Sequence, residues 1–397
     1  MPAPDGHDMA LAHVRVLDFS RVLAGPFCTM LLADLGADVI KIESHAGDET
    51  RQWGPPFDAE GRSAYYLSVN RNKRSLTLNL KSAEGQQIAR QLAVQSQIVV
   101  ENFKPGGMAA FGLGYDDLHA LNPALIYASI TGFGQTGPYS ERPGYDFVIQ
   151  AMSGLMSITG EKDGAPSKVG VAIADVIAGL YAASSILAAL HHAEQTGAGQ
   201  HLDVALLDTQ IAALVNVASN ALVSDQTPAR YGNAHPSIVP YETFRAADGE
   251  FALAVGNDRQ FAQLCHLIDH PEWSADPRFA TNPERVAHRE ALIALLSEVF
   301  RTRTAAEWVA DALELGIPAG SLNSVSQILN DPHVQARGLI HEIDALRLVG
   351  PPVQFSATPP TVRSAPPSLG QHSAEILRER LGLSDAEIAA YRASGVI

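Results

Sequence analysis

A chain of 397 residues is long enough for two domains and a large core, and at 46% hydrophobic and 18% charged residues it is not a mostly disordered one. A formal net charge of −15 leaves no basic field for nucleic acid or for an anionic membrane surface. Any anionic ligand must therefore be held by local Arg, Lys and backbone N–H groups. The only two cysteines, Cys28 and Cys265, can build neither a disulfide framework nor a metal site and read as buried free thiols of a reducing compartment. Met1 to Ala10 is polar and lacks the apolar core of a signal peptide. The longest apolar run, Val176 to Leu190, is short for a bilayer span and is broken by Ser184 and Ser185. The expected location is the cytoplasm, with no membrane partner.

The first half alternates strand-like and helix-like segments, the pattern of an α/β domain with a mainly parallel sheet. Strands are expected at Val14–Phe19, Asp38–Glu43, Ser75–Leu80, Ile98–Phe103 and Leu125–Ile130. Helices are expected from Gly25-Pro26 to Leu35 and from Ser82 to Ala93. Ala174–Ala193 is rich in small apolar residues and reads as a closely packed helix, and Asp208–Val223 as another buried one. After Ser224 the texture turns polar, followed by a hairpin turning at Asp248-Gly249. Helices near Arg259–Leu267, Arg285–Phe300 and Ala305–Leu315 come next. The divisions expected are a large domain over residues 1–224, a small α+β domain over 225–325 and a return over 326–397. Pro351, Pro352, Pro359, Pro360, Pro366 and Pro367 make that return extended, and a helical hairpin ends it.

Two motifs are discounted. Gly132-Phe133-Gly134-Gln135-Thr136-Gly137 spells a dinucleotide fingerprint, but Pro138 onward reads as more loop, with no helix N-terminus to meet a pyrophosphate. His191 and His192 point to different sides of one helix and suit no shared metal. Asp175 is the acid to single out. It sits in the first turn of a helix among apolar neighbours, where it is either a plain cap or a partly desolvated nucleophile.

Longer stretches weigh between the two. They include Val16-Leu17-Asp18 with Leu23-Ala24-Gly25-Pro26, and Leu35-Gly36-Ala37-Asp38 through Lys41-Ile42-Glu43. Asn72-Lys73-Arg74-Ser75, Val100-Glu101-Asn102-Phe103, Pro105-Gly106 and Leu369-Gly370-Gln371-His372 continue the series. From Val14 onward the chain resembles the class III CoA-transferases, the family of formyl-CoA transferase, carnitine CoA-transferase and α-methylacyl-CoA racemase. The resemblance implies a Rossmann-like large domain, a smaller domain and an interlocked, ring-shaped homodimer. It implies Asp175 as the residue that carries the acyl group, with acyl-CoA as substrate and no permanently bound cofactor. It also places CoA against Val22, Ala24, Asn102 and Phe103, with Lys73 and Arg74 as phosphate counter-charges. Several relatives carry Arg where Ala110 stands, so those contacts must differ. The loop that shields the intermediate in relatives matches Gly256 and Asn257, in a segment with fewer glycines here.

Racemase relatives supply a His base where this chain has Tyr145, and a phenol is a poor base at neutral pH. Transfer is therefore expected over racemisation, and a non-catalytic acyl-CoA-binding protein is the other alternative. Trp53-Gly54-Pro55-Pro56-Phe57 and Ala234-His235-Pro236-Ser237 resemble the dicarboxylate branch, which uses succinyl-CoA with glutarate. Itaconate, mesaconate and malate have suitable size as well. A dicarboxylate needs a cation for its distal carboxylate, and Arg51 and Arg71 are the expected candidates.

Overall fold

Val16 and Leu17, Val39 and Ile40, and Val99 and Val100 put apolar side chains on both faces of their strands, which suits a parallel sheet covered on both sides. In the computed structural model, which describes residues 9–397, they do so. Residues 1–8 of the polar Met1–Ala10 stretch lie outside the described residues.

The first unit comprises residues up to 155 with 169–225 and 333–397. Its strands are β1 (Arg15–Asp18), β2 (Asp38–Glu43), β3 (Lys73–Thr77), β4 (Ile98–Glu101), β5 (Ile126–Thr131) and β6 (His201–Ala205). They form one parallel six-stranded sheet in the order β3-β2-β1-β4-β5-β6. This is the doubly wound order, and its crevice opens where β1 and β4 diverge. The helices that matter here are α1 (Ala24–Asp34), α2 (Ala83–Val94), α3 (Asp146–Met152), α4 (Ile173–Thr196), α5 (Leu206–Ala212) and α6 (Val215–Ser224). One face of the sheet, with Val16, Val39, Val100 and Ala128, packs on Cys28 and Leu32 of α1 and Ala178, Ala182 and Ile186 of α4. The other, with Leu17, Ile40, Val99 and Tyr127, packs on Ile88 and Leu92 of α2 and on Ile376, Leu377 and Ile388 near the C-terminus.

Small residues let α1 and α4 approach. A Cβ on Gly179 would stand 2.8 Å from the carbonyl oxygen of Ala24. At 24 residues α4 is long and apolar enough to cross a bilayer by composition, more than the run Val176–Leu190 suggested, but half of its most apolar stretch is buried in this core.

Three expectations need correction. The sheet does not close at β5, because His201–Ala205 adds a sixth strand. The segment Asp208–Val223 is not one buried helix: α5 and α6 meet at a 74° bend, and α6 buries no residue. The second unit covers 226–332 and also takes in residues 156–168. The Arg230 guanidinium holds that added segment by donating to the carbonyls of Ser157, Glu161 and Gly164. Within this unit Tyr241–Arg245, Glu250–Ala254 and Ala319–Ser321 form an antiparallel sheet. Phe244, Phe251, Phe300 and Trp308 fill its core.

Beneath the crevice lies a buried network of charges. Lys41 donates to Asp48 at 2.9 Å and to the Ser20 carbonyl at 2.8 Å. Asp18 accepts from Ser20, from Thr29 and from Lys73, the last at 3.3 Å. Glu43 takes a two-pronged bond from Arg51 and a third from Ser75. Burial alone would raise the Asp18 and Asp48 carboxyls, yet Lys73 and Lys41 outweigh it at the first and Lys41 at the second, holding both below the usual range. Asp48 also accepts the N–H of Val22. That residue has φ 70°, a left-handed conformation that is costly for a β-branched side chain.

Replacing Lys41 by Met would leave two buried carboxylates short of their cation. We expect urea denaturation to show a loss of about 3–5 kcal/mol, the usual cost of breaking such a pair from one side. A variant within about 1 kcal/mol of the parent would show that water reaches these carboxylates.

Candidate active site

Val22 turns the chain sharply between β1 and α1, and Asn102 braces the turn from the end of β4. The Asn102 side chain accepts from the Arg21 N–H at 3.0 Å and donates to the Arg21 carbonyl at 2.7 Å. A cavity of about 210 Å³ opens beside this clamp, lined by Val22, Ala24, Asn102, Phe103, Tyr145, Asp175 and Arg142 among others. Six of the expected site residues thus meet in one place: Val22, Ala24, Asn102, Phe103, Tyr145 and Asp175.

Asp175 is not the cap of its helix. The N-cap is Ala172, which offers no side-chain bond, and Asp175 is the third residue of α4. The capping is done from α3. Asp146 accepts the Ala174 N–H at 2.8 Å and is itself steadied by the Gln150 amide, also at 2.8 Å. Burial, and after it the charge of Asp146, push the Asp175 carboxyl up to about 7. The ionised carboxylate is therefore less stabilised here than a helix start would suggest, and correspondingly more basic. Asp175 and Gly179 lie one turn apart on the face of α4 that abuts Ala24. The first N–H groups of α1, from Ala24 and Gly25, have no intrahelical acceptor and no side-chain cap. They suit an oxyanion formed in front of Asp175.

The sequence reading missed three groups here. Asp146 shows in the sequence only as a residue after Tyr145. Tyr65 is raised to about 12 by burial and by the charges of Asp175 and Asp146, so it stays a neutral donor. Glu101, buried under the cavity floor, accepts the Phe103 N–H at 2.8 Å, and burial lifts its carboxyl to about 7.

Four expected residues of the first unit lie outside this cavity. The strand β3 starts at Lys73 rather than Ser75, and its pleat sends Lys73 and Arg74 to opposite faces. Lys73 is fully buried and bonded to Asp18, Asn70 and the Pro26 carbonyl. Burial lowers its ammonium to about 8. Arg74 is taken by Asp38, Glu375 and Glu379. Neither is available to a phosphate. Arg51 forks onto Glu43 over the ring of Tyr66. Arg71, 3% exposed, is spent on Asp34 and the Val349 carbonyl, so neither arginine is placed to read a substrate carboxylate. In the second unit, Gly256 donates to the side chain of Gln260 and Asn257 caps the helix Asp258–Leu267. The Gly132–Gly137 segment is followed by loop up to α3. Gly132 is required because a Cβ there would stand 2.7 Å from the Gly144 Cα.

A second cavity, of about 420 Å³, adjoins the first and shares Arg21 and Phe103 with it. Phe19, Phe111 and Leu78 supply apolar surface, and His45, Asn79 and Lys81 stand on its rim.

The profile of CoA-transferase family III matches residues 11–373. The chain belongs to that family. The enzyme is 47% identical over 380 residues to a succinate–glutarate CoA-transferase of Agrobacterium fabrum, covering 93% of this chain and 95% of the relative. It is 44% identical over 393 residues to the human succinyl-CoA:glutarate CoA-transferase, covering 98% and 90%. Its fold matches the crystal structure of a CaiB/BaiF family protein from Brucella suis with a TM-score of 0.87 and 46% identity, over 94% of this chain and all of that one. The enzyme is thus a CoA-transferase with acyl-CoA as its substrate.

The raised Asp175 carboxyl has two consequences of opposite sign. Activity that needs the ionised group should rise with pH through about 7. Between the unfolded value of 3.8 and about 7 the folded state binds the extra proton, so its stability falls as pH rises across that window. Asp175→Asn should therefore raise the melting temperature more at pH 8 than at pH 5. An equal change at both would mean that this carboxyl titrates normally.

Proposed function

We propose that the enzyme moves CoA from succinyl-CoA to a dicarboxylic acid, with glutarate the first candidate, and that Asp175 carries the group between them. The observation that carries this reading is a basic, desolvated carboxylate facing a cavity that also holds unpaired helix N–H groups and the Asn102 clamp. The relatives named above support the substrate pair. The Asp175 oxygen attacks the thioester carbonyl, the C–S bond breaks, and an acyl–aspartyl anhydride and CoA thiolate result. The thiolate then attacks the aspartyl carbonyl, releasing succinate and leaving an aspartyl–CoA thioester. The acceptor carboxylate reverses both steps and restores Asp175. Each step exchanges one nucleophile for another, so no proton or electron has to be supplied. Holding CoA in place between steps replaces an encounter of two anions with an intramolecular attack.

The second cavity suits the nucleotide end of CoA, with the aromatic surfaces against adenine and Lys81, His45 and Arg21 near the phosphates. This takes over the role the sequence had suggested for Lys73 and Arg74. Tyr145 lines the nucleophile's cavity where the racemase relatives supply a His base, which favours transfer over racemisation.

Asp175→Ala should reduce exchange between succinyl-CoA and glutarate to below about a hundredth while leaving the circular dichroism unchanged. Intact mass spectrometry of the parent enzyme with succinyl-CoA should show one added CoA that the variant lacks. A variant that keeps its activity would remove Asp175 from the mechanism.

We further infer that the active form is a homodimer. Leu222 and Val223 of α6 are each 87% exposed, and Val215, Leu180, Tyr181 and Phe147 extend the apolar surface over α4 and α3. Such a patch calls for cover, and the family resemblance makes a second copy the occupant. Light scattering should give twice the chain mass at micromolar concentration; an active monomer would refute the inference.

A further inference from the structure

Once Arg51 and Arg71 are committed to Glu43 and Asp34, the substrate's far carboxylate has no assigned partner. The cations lining the nucleophile's cavity are Arg21, Lys104 and Arg142. Arg21 is 4.0 Å from Glu49 and 5.4 Å from the Phe103 ring, on the wall shared with the second cavity, and Lys104 is the next residue after Phe103 in the chain. Arg142 is on the other side, in the loop between β5 and α3. Its guanidinium stacks 3.7 Å above the ring of Tyr139, and Tyr139 in turn packs edge-on against Phe133, which is buried. Stacking fixes the plane of the guanidinium and leaves its edge donors free, the arrangement that receives a carboxylate. Arg142 has no carboxylate partner among the described residues.

The sheet order supplies the direction. The second cavity spans the ends of β1 and β2 and the segments after β3 and β4, whereas the first runs from Arg21 and Phe103 to the end of β5 and to Leu206 after β6. A thioester whose nucleotide lies in the second cavity and whose carbonyl meets Asp175 extends its acyl chain toward β5. That is where Arg142 stands. We propose that Arg142 reads the distal carboxylate of the dicarboxylic acid and so sets the enzyme's preference for diacids. This rests on the transfer reading given above.

The test compares glutarate with valerate, which has the same five-carbon chain and no distal carboxylate, as acceptors for the parent enzyme, Arg142→Gln and Arg142→Lys. In a two-stage exchange the acceptor's kcat/KM reports its own half-reaction, so the donor cancels. Arg142→Gln should lower kcat/KM for glutarate about 10- to 100-fold, the loss of one or two charged hydrogen bonds, and shift valerate by less than about threefold. Arg142→Lys should recover part of the glutarate rate. The Kd for free CoA, which carries no acyl chain, should stay within about twofold. Equal losses with both acids, weakened CoA binding or an unchanged glutarate rate would each overturn the assignment. Failure of the underlying reading would look different, as transfer that survives Asp175→Ala.

Discussion

The strained turn at Val22 depends on the ion network beneath it. Lys41, Asp48, Asp18, Lys73, Glu43 and Arg51 bring equal numbers of positive and negative groups under the crevice. Exchanging such a network for hydrocarbon often costs little stability, so its value lies in geometry. Asp48 holds the Val22 N–H and Lys41 holds the Ser20 carbonyl. Between those two points the chain turns through Val22 into α1, whose first residue, Ala24, lines the cavity. The Asn102 clamp fixes the same segment from the neighbouring strand. A turn set by charges on one side and by an amide on the other stays shaped when the cavity is empty, which is the condition for electrostatic preorganisation.

Asp175 is tuned by the opposite means. What raises Asp175 is its burial, and after it the charge of another carboxylate, Asp146. Asp146 accepts the Ala174 N–H, so α4 keeps its cap while the Asp175 carboxyl stays basic. The cap and the raised carboxyl are thus separate residues.

Much of the first unit was legible because its strands are short apolar runs separated by turn residues, and β2 matches its expected bounds at both ends. The sixth strand was not, since His201–Ala205 is only five residues long and carries two polar side chains among them. The bent pair α5–α6 hides in composition, which registers apolar content but not whether a partner covers it. At the site, residues with backbone roles, such as Val22, Ala24 and Asn102, were found through the family pattern. The cations were misread for a plain reason. Lys73, Arg74, Arg51 and Arg71 all stand in polar surroundings in the sequence, while their partners Asp18, Asp38, Glu43 and Asp34 lie 8 to 55 positions away. Charge compensation across parallel strands leaves no local trace.

The return of the chain after residue 333 has a consequence for synthesis. Ile376, Leu377 and Ile388 close a face of the sheet whose strands were made long before, and Val396 carries the carbonyl that accepts the Asn79 N–H. On the ribosome, residues 226–332 therefore emerge with all their own core residues in hand, while the face with Leu17, Ile40 and Val99 has α2 against it but still lacks Ile376, Leu377 and Ile388. The unit that bears Asp175 begins first and is completed last, so a nascent chain halted before residue 373 exposes an oily part of that sheet face.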